Sequence, residues 1–311
     1  MKLSDDSKKI LKKSLRLLVQ FSIIGYLIYQ LFEIGLQQIL ESLPRIPSFY
    51  LLYFVIYFSL PLAEVLIYKI KWPITFRDAF PIFIQKKVLN TDVVGYSGEL
   101  FLYIWAKKYL KDPAKEVFIF IKDNNVLSSL ASGIVTIFLL IFFISQGYIN
   151  ISDYVGNVKG WSWILISVGL IVALVLVYRF RKAILALNRY DSMKIFSLHA
   201  GRIIFINVIQ ILQWHVARPD IAIPVWFTFS AVQILALRIP FLPSTDALFV
   251  NVALEMSGVV SVPKEALVGI LTANLILKRI LNVVSYLVSK YVGTDTKVES
   301  SKQEIDLDRN D

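Results

Sequence analysis

Along the chain, polar stretches alternate with uniformly apolar runs of about 18–23 residues, the length an α-helix needs to cross a hydrocarbon core of roughly 30 Å. The clearest runs are Leu15–Phe32, Phe49–Tyr68, Val126–Ser145, Trp161–Tyr178 and Ala266–Val288, with a shorter one over roughly residues 203–216. Lipid cannot hydrogen-bond a peptide group, so only helices and closed barrels span a bilayer. Barrel strands are short and alternate in polarity; these runs are long and do not alternate. The pattern therefore predicts an all-α, polytopic membrane protein with about six full spans.

Two further stretches are too apolar for soluble loops and too broken for clean spans. Residues 73–106 carry Pro73, Pro81, Gly95 and Gly98, with Lys86, Lys87, Asn90 and Asp92 in the middle. Residues 221–258 carry Pro224, Pro240, Pro243, Asp246 and Gly258. Each reads as a re-entrant pair of half-helices that dips into the membrane and returns, which requires burial by protein or a wet cavity.

Charge sets the expected orientation. Lys2, Lys8, Lys9, Lys12, Lys13 and Arg16 precede the first span. Basic residues return after the second span, from Lys69 to Lys115, and after the fourth, from Arg179 to Arg202. Basic loops stay in the cytoplasm, so both termini are expected there, in a plasma (inner) membrane. The basic residues 1–14 form a cytoplasmic N-terminus, residues 15–292 a membrane domain, and the polar residues 293–311 a tail of disordered character. Leu15–Phe32 is read as a retained span, because no small-residue cleavage pattern follows it. Trp72, Trp105, Trp161, Trp163, Trp214 and Trp226 mostly fall near expected span ends and read as interface anchors.

The layout repeats. Residues of about 15–146 and 161–292 each read span, span, broken pair, span, in opposite orientations. An echo accompanies it: Asp112-Pro-Ala-Lys-Glu-Val precedes the third span and Val262-Pro-Lys-Glu-Ala-Leu the sixth. Upstream of each lies an acidic residue on a broken segment, Glu99 and Asp246; downstream lie Lys122-Asp123-Asn124 and Asn274 with Lys278-Arg279. Proline also favours the first helical turn in general, which is the alternative origin of the echo. Inverted repeats with broken helices are a common transporter build, with the substrate site near the midplane.

Composition narrows the chemistry. Hydrophobic residues make up 56% of the 311 and charged residues 18%, shifted toward lipid from soluble averages. There is no cysteine, which removes disulfides and thiolate metal sites, and two histidines are too few for a histidine cluster. The net charge of +10 follows from the basic cytoplasmic loops, so nucleic acid is not an expected partner. No phosphate-binding, zincin or dinucleotide motif is present, and no cofactor or metal is expected.

The segments Asn90-Thr-Asp-Val-Val-Gly-Tyr-Ser-Gly-Glu99, Lys122-Asp123, Leu242-Pro-Ser-Thr-Asp246 and Gly258 through Lys278-Arg279 resemble the flippase-like membrane family, over about residues 10–292. That family includes the transmembrane region of lysylphosphatidylglycerol synthases. The chain resembles a divergent member: Gly98-Glu99 keeps part of a Gly-Gly-Glu-x-x-Arg-like motif, but Leu102 stands where arginine is expected. Lys122-Asp123 takes the place of a Glu-Arg pair, and Arg279 keeps the basic residue of the last span. The resemblance implies movement of a polar lipid or lipid-linked glycan between leaflets, with envelope-biosynthesis proteins as further partners. No soluble aminoacyl-transfer segment follows the last span in this sequence, so synthase activity is not expected.

Ionisable groups at membrane depth are costly and mark candidate sites. Lys278 and Arg279 lie about twelve residues into the sixth span, roughly 18 Å deep. Either Arg279 meets a lipid phosphate through its planar donor fork, with Lys278 nearby, or one of the two basic residues pairs with Asp246, Glu255 or Glu99 to hold the helices. Glu99 and Asp246 either bind a cationic headgroup or a proton, or cap half-helices. Lys122 and Asp123 read as a charge pair in the inner part of the third span. Glu64 reads as interfacial, and His199 and His215 have no evident partner. The competing functional reading is an integral membrane transferase, or an accessory subunit, acting on a polyprenyl-phosphate or phospholipid. Its carboxylates would be Asp92, Glu99, Asp112, Glu116 and Asp123, which are dispersed and lack an Asp-Asp-x-x-Asp arrangement.

Overall fold

The computed structural model describes residues 36–92, 96–110, 112–147, 185–237, 245–258 and 262–307. All regular structure among them is α-helical: α1 Leu36–Ser42, α2 Pro47–Tyr68, α3 Phe76–Asp92, α4 Ser97–Tyr109, α5 Ala114–Ser145, α6 Arg189–Ala217, α7 Ile223–Ala236, α8 Thr245–Met256 and α9 Lys264–Leu307. Four segments are long and apolar enough to cross a membrane: α2, α5, α6 and the Lys264–Val292 part of α9. They coincide with the second, third, fifth and sixth expected spans. The first and fourth, Leu15–Phe32 and Trp161–Tyr178, lie outside the described residues.

Two of these helices begin earlier than their apolar runs. Helix α5 starts at Ala114 and carries Lys122, Asp123 and Asn124 inside its course; α6 starts at Arg189 and carries Asp191, His199 and Arg202. Polar residues are tolerated inside a helix when their side chains find partners, and Asp123, Asn124, Asp191 and His199 do. The two broken stretches hold two short helices each, α3 with α4 and α7 with α8.

The chain forms two compact units. The first draws its described residues from Met1–Phe54, Leu139–Ile149 and Asn207–Lys278, the second from Val55–Phe138, Asn150–Ile206 and Arg279–Asp311. Each has its own core. In the first, Trp214 lies 6.0 Å from Trp226 and stacks at 6.1 Å on Phe249, beside Phe229, Leu254 and Leu267. In the second, Tyr68 gathers Trp72 at 4.6 Å, Phe83 at 5.0 Å and Phe120 at 5.2 Å. Trp72, Trp214 and Trp226 are thus buried core residues rather than lipid-facing anchors; large aromatic rings contribute most when enclosed on all sides. Trp161 and Trp163 lie outside the described residues. Meanwhile Leu51, Leu66, Phe138, Ile141, Val208, Val283 and Leu287 on the four long helices are exposed. Apolar exposure on this scale marks a surface made for something other than water, and lipid fits it.

The first unit depends on one close backbone approach. A Cβ at Gly269 of α9 would stand 2.0 Å from the Ser42 carbonyl oxygen at the end of α1. Gly269→Ala is expected to push these helices apart and cost about 1–3 kcal/mol. Thermal unfolding of the purified protein in lipid nanodiscs checks this; an unchanged melting temperature contradicts the contact.

Candidate functional site

The α3–α4 pair is built by local chemistry at both ends. Thr75 caps α3: its hydroxyl accepts from the Asp78 N–H at 3.2 Å and donates to the Asp78 carboxylate at 2.5 Å. The Tyr109 hydroxyl, at the far end of α4, donates to the same carboxylate at 3.0 Å. Burial, and then the Asp78 charge, raise the Tyr109 phenol above its ordinary pKa. At the other end the chain returns through Tyr96, which has a left-handed φ of 70°. Ser97 Oγ donates to the Leu89 carbonyl at 2.8 Å, and the Gly98 N–H to Asn90 Oδ1 at 2.7 Å. Only glycine fits at position 98, because a Cβ there would stand 2.2 Å from the Lys86 carbonyl oxygen. The Asn90 amide also donates to Glu99 Oε1 at 3.0 Å, so one side chain fixes both the backbone return and a carboxylate.

That carboxylate belongs to a buried charge cluster. Lys86 of α3 is only 3% exposed and ion-pairs with Glu64 of α2, itself 4% exposed. Its Nζ is also 3.5 Å from Glu99 Oε1 and lies 5.8 Å from the centre of the Tyr68 ring. Arg202 of α6 is near enough to interact electrostatically with Glu64. Two acids and two bases therefore share one apolar surrounding, and their formal charges balance. Burying such ions costs several kcal/mol apiece, so each charge must be offset by a neighbour. Three polar atoms stay buried without a hydrogen-bond partner among the described residues: Glu64 Oε2, Glu99 Oε2 and Arg202 Nε. A second polar link adjoins the cluster. Asn124 of α5 donates to the Tyr68 hydroxyl at 3.2 Å, and its Oδ1 lies 3.0 Å from His199 Nε2.

A polar stripe on the second half of the Lys264–Val292 part of α9 completes the set. Arg279 Nη1 donates to Asp92 Oδ1 at 2.6 Å and Asn282 Nδ2 to Asp92 Oδ2 at 2.9 Å. The Tyr57 hydroxyl donates to Asn282 Oδ1 at 2.9 Å and lies 2.7 Å from Ser285 Oγ. Lys87 Nζ sits 3.2 Å over the Tyr57 ring, and Gln85 Nε2 donates to the Ser289 carbonyl at 3.2 Å. Residues 282, 285 and 289 recur at the spacing that puts them on one helix face.

The six residues singled out in the sequence fall in different settings. Glu99 joins the buried cluster and Arg279 the α9 stripe, both in the second unit. Lys278 and Asp246 pair with each other in the first unit. Lys122 and Asp123 are 2.9 Å apart, and Asp123 Oδ2 accepts the N–H groups of Ala186 at 2.8 Å and Leu187 at 2.9 Å. Asp123 thereby anchors the segment leading into α6. Sequence reasoning read Glu64 as interfacial, found no partner for His199 and counted Arg202 with a basic loop; it treated Lys86 and Asn90 as interruptions, and Asp92 as that and as a dispersed carboxylate of the transferase reading. Their signal was present: an acid inside an apolar run, and charges at the centre of an otherwise apolar broken stretch. No group of three His, Asp or Glu side chains suited to a metal occurs among the described residues. No protein-family model, curated protein or solved structure matches the chain.

Asn90 holds both strands of this arrangement. Asn90→Ala leaves the Gly98 N–H without its acceptor and Glu99 Oε1 without its amide donor and is expected to cost about 1–3 kcal/mol. Thermal unfolding in detergent reads this loss, and wild-type stability in the variant would contradict the bracing role.

Proposed function

We propose that the protein moves a polar, anionic lipid or lipid-linked glycan between the leaflets of the plasma membrane. The observation that carries this reading is Arg279. It lies near the middle of Lys264–Val292, a segment apolar and long enough to span, yet its side chain is 72% exposed. An ionisable residue within a spanning segment is a functional-site candidate by default. Asp92 engages one guanidinium nitrogen and holds the group in place; a planar fork of this kind matches a phosphate. Asn282, Ser285 and Ser289 continue the polar stripe along the same helix, buried against its neighbours.

Three observations support the transporter layout. Basic residues flank the expected cytoplasmic ends of the spans. The broken stretches hold one short helix pair each, and the first follows α2 where the second follows α6. Asn124 and Asn274 each stand 11 residues after their prolines, 113 and 263. Asn124 bonds to Tyr68 near the end of α2, and Asn274 bonds at 2.9 Å to Gln213 near the end of α6. Equivalent residues making equivalent bonds is what an inverted repeat produces. The resemblance to the flippase-like family points the same way.

The test is a leaflet-specific assay of labelled anionic phospholipid in reconstituted vesicles, comparing wild type with Arg279→Ala. Losing a charged hydrogen-bonding contact of this type is expected to slow translocation about ten- to a hundredfold. Equal rates would remove Arg279 from the path, and no movement by wild type would overturn the reading.

A further inference from the structure

We infer that the outward face of α4, with the start of α5, binds one anionic phospholipid, its phosphate at Lys107 and Lys108 and an acyl chain along Leu100, Ile104 and Phe118. Helix α4 has 13 residues and two distinct faces. Gly98, Leu102 and Ala106 recur every four positions on the buried face, where Gly98 comes against the Lys86 carbonyl of α3. Leu100, Ile104, Lys107 and Lys108 share the opposite face, and all four are exposed. Phe118 of α5 widens this face: it is exposed, and its ring lies 6.5 Å from Tyr103 of α4. An exposed apolar row that ends in two ammonium groups has the order of a lipid, hydrocarbon and then charged headgroup.

Depth and charge select the occupant. Trp105 stacks on Tyr109 at 4.7 Å beside the two lysines, and amphipathic rings of this kind settle at headgroup level. Lys107 and Lys108 therefore stand among phosphates, and Ile104 and Leu100, one and two turns back, stand at acyl-chain depth. Residues 107–116 carry four lysines against two acids, Asp112 and Glu116. Lys107, Lys108 and Lys115 have no ion-pair partner among the described residues, and the nearby Asp78 is engaged by Thr75 and Tyr109. A second copy of the chain fits the face less well. Copies related by a twofold axis in one membrane would set like charges together, and three large apolar side chains fall short of the area a stable interface buries. The site deepens the proposed function, and its role as a loading point rests on that reading. The far end of α4 returns against Leu89 and Asn90, next to the Asp92 that holds Arg279. That end is about 16 Å along the helix from Lys108.

Quenching by brominated lipid tests the site without any transport. The full-length protein is placed in phosphatidylcholine vesicles that contain brominated phosphatidylglycerol or brominated phosphatidylcholine. The Trp105 signal is the difference between wild type and Trp105→Phe. The anionic lipid should quench Trp105 at lower mole fraction than the neutral one. Lys107→Gln combined with Lys108→Gln should reduce that preference about ten- to thirtyfold, and Lys107→Arg combined with Lys108→Arg should keep it. Equal quenching by both lipids in wild type, an unchanged preference in the glutamine pair, or its loss in the arginine pair overturns the proposal. Release of the quenching by millimolar inorganic phosphate does so too, since the ligand would then be a free anion. The chain has no cysteine, so Ile104→Cys reports cleanly on a second copy: a disulfide between copies in these vesicles also overturns the lipid assignment. In the translocation assay the glutamine pair should be several-fold slower than wild type, and an equal rate overturns the loading role. If wild type moves no lipid at all, the proposed function fails, and the quenching still decides the lipid site.

Discussion

An ammonium group enclosed by apolar helices must be matched by negative charge at contact distance, and Lys86 imposes that condition on the second unit. Glu64 answers it from α2 and Glu99 from α4. Arg202 adds a second cation from α6, acting on Glu64. Removing a single member would strand a buried charge, so the four groups are energetically one object. Much of the local sequence serves it. Gly98 lets the α4 backbone reach the Lys86 carbonyl, Tyr96 accepts a left-handed conformation to turn the chain, and Asn90 holds Glu99 in place. Desolvation makes such a cluster expensive, and hydrophobic side chains of similar volume would serve stability as well.

The first unit solves a similar problem with neutral groups. Gln213, fully buried, donates to Asn274 and to the Phe49 carbonyl, and accepts from Gln210 at 2.6 Å. Amides carry no net charge, so this network needs no counter-ions and has no protonation to exchange. Its ion pairs, Lys278 with Asp246 and Arg218 with Asp220, are partly exposed instead. The contrast places an amide-bonded polar interior in one unit and an ionic one in the other. Adjacent positions on α9 serve both: Lys278 belongs to the first unit and Arg279 to the second.

The spans could be read from the sequence because the solvent dictates them: a run must be apolar throughout and long enough to cross. The broken stretches were legible only in outline: Pro81 lies inside α3 without ending it, and the break between α3 and α4 falls between Asp92 and Ser97. Partners were not legible. Glu64 and Lys86 are 22 residues apart and Arg279 and Asp92 are 187 apart, and nothing in periodicity links such positions. Lys278 and Arg279 illustrate the limit. As neighbours they point about 100° apart around the helix, so Lys278 meets Asp246 while Arg279 meets Asp92. The tryptophans were misjudged because position near a span end does not reveal which way a ring faces; Trp72, Trp214 and Trp226 face inward.

A double-mutant cycle at Lys86 and Glu64 tests the central claim most directly, read as unfolding free energy of the protein in lipid. Lys86→Met alone should be severely destabilising, because it leaves an acid buried without its cation. Adding Glu64→Leu should recover most of that loss, giving a coupling of about 3 kcal/mol or more. Two losses that simply add would show that the ammonium and the carboxylate do not depend on each other, and the account built on them would not stand.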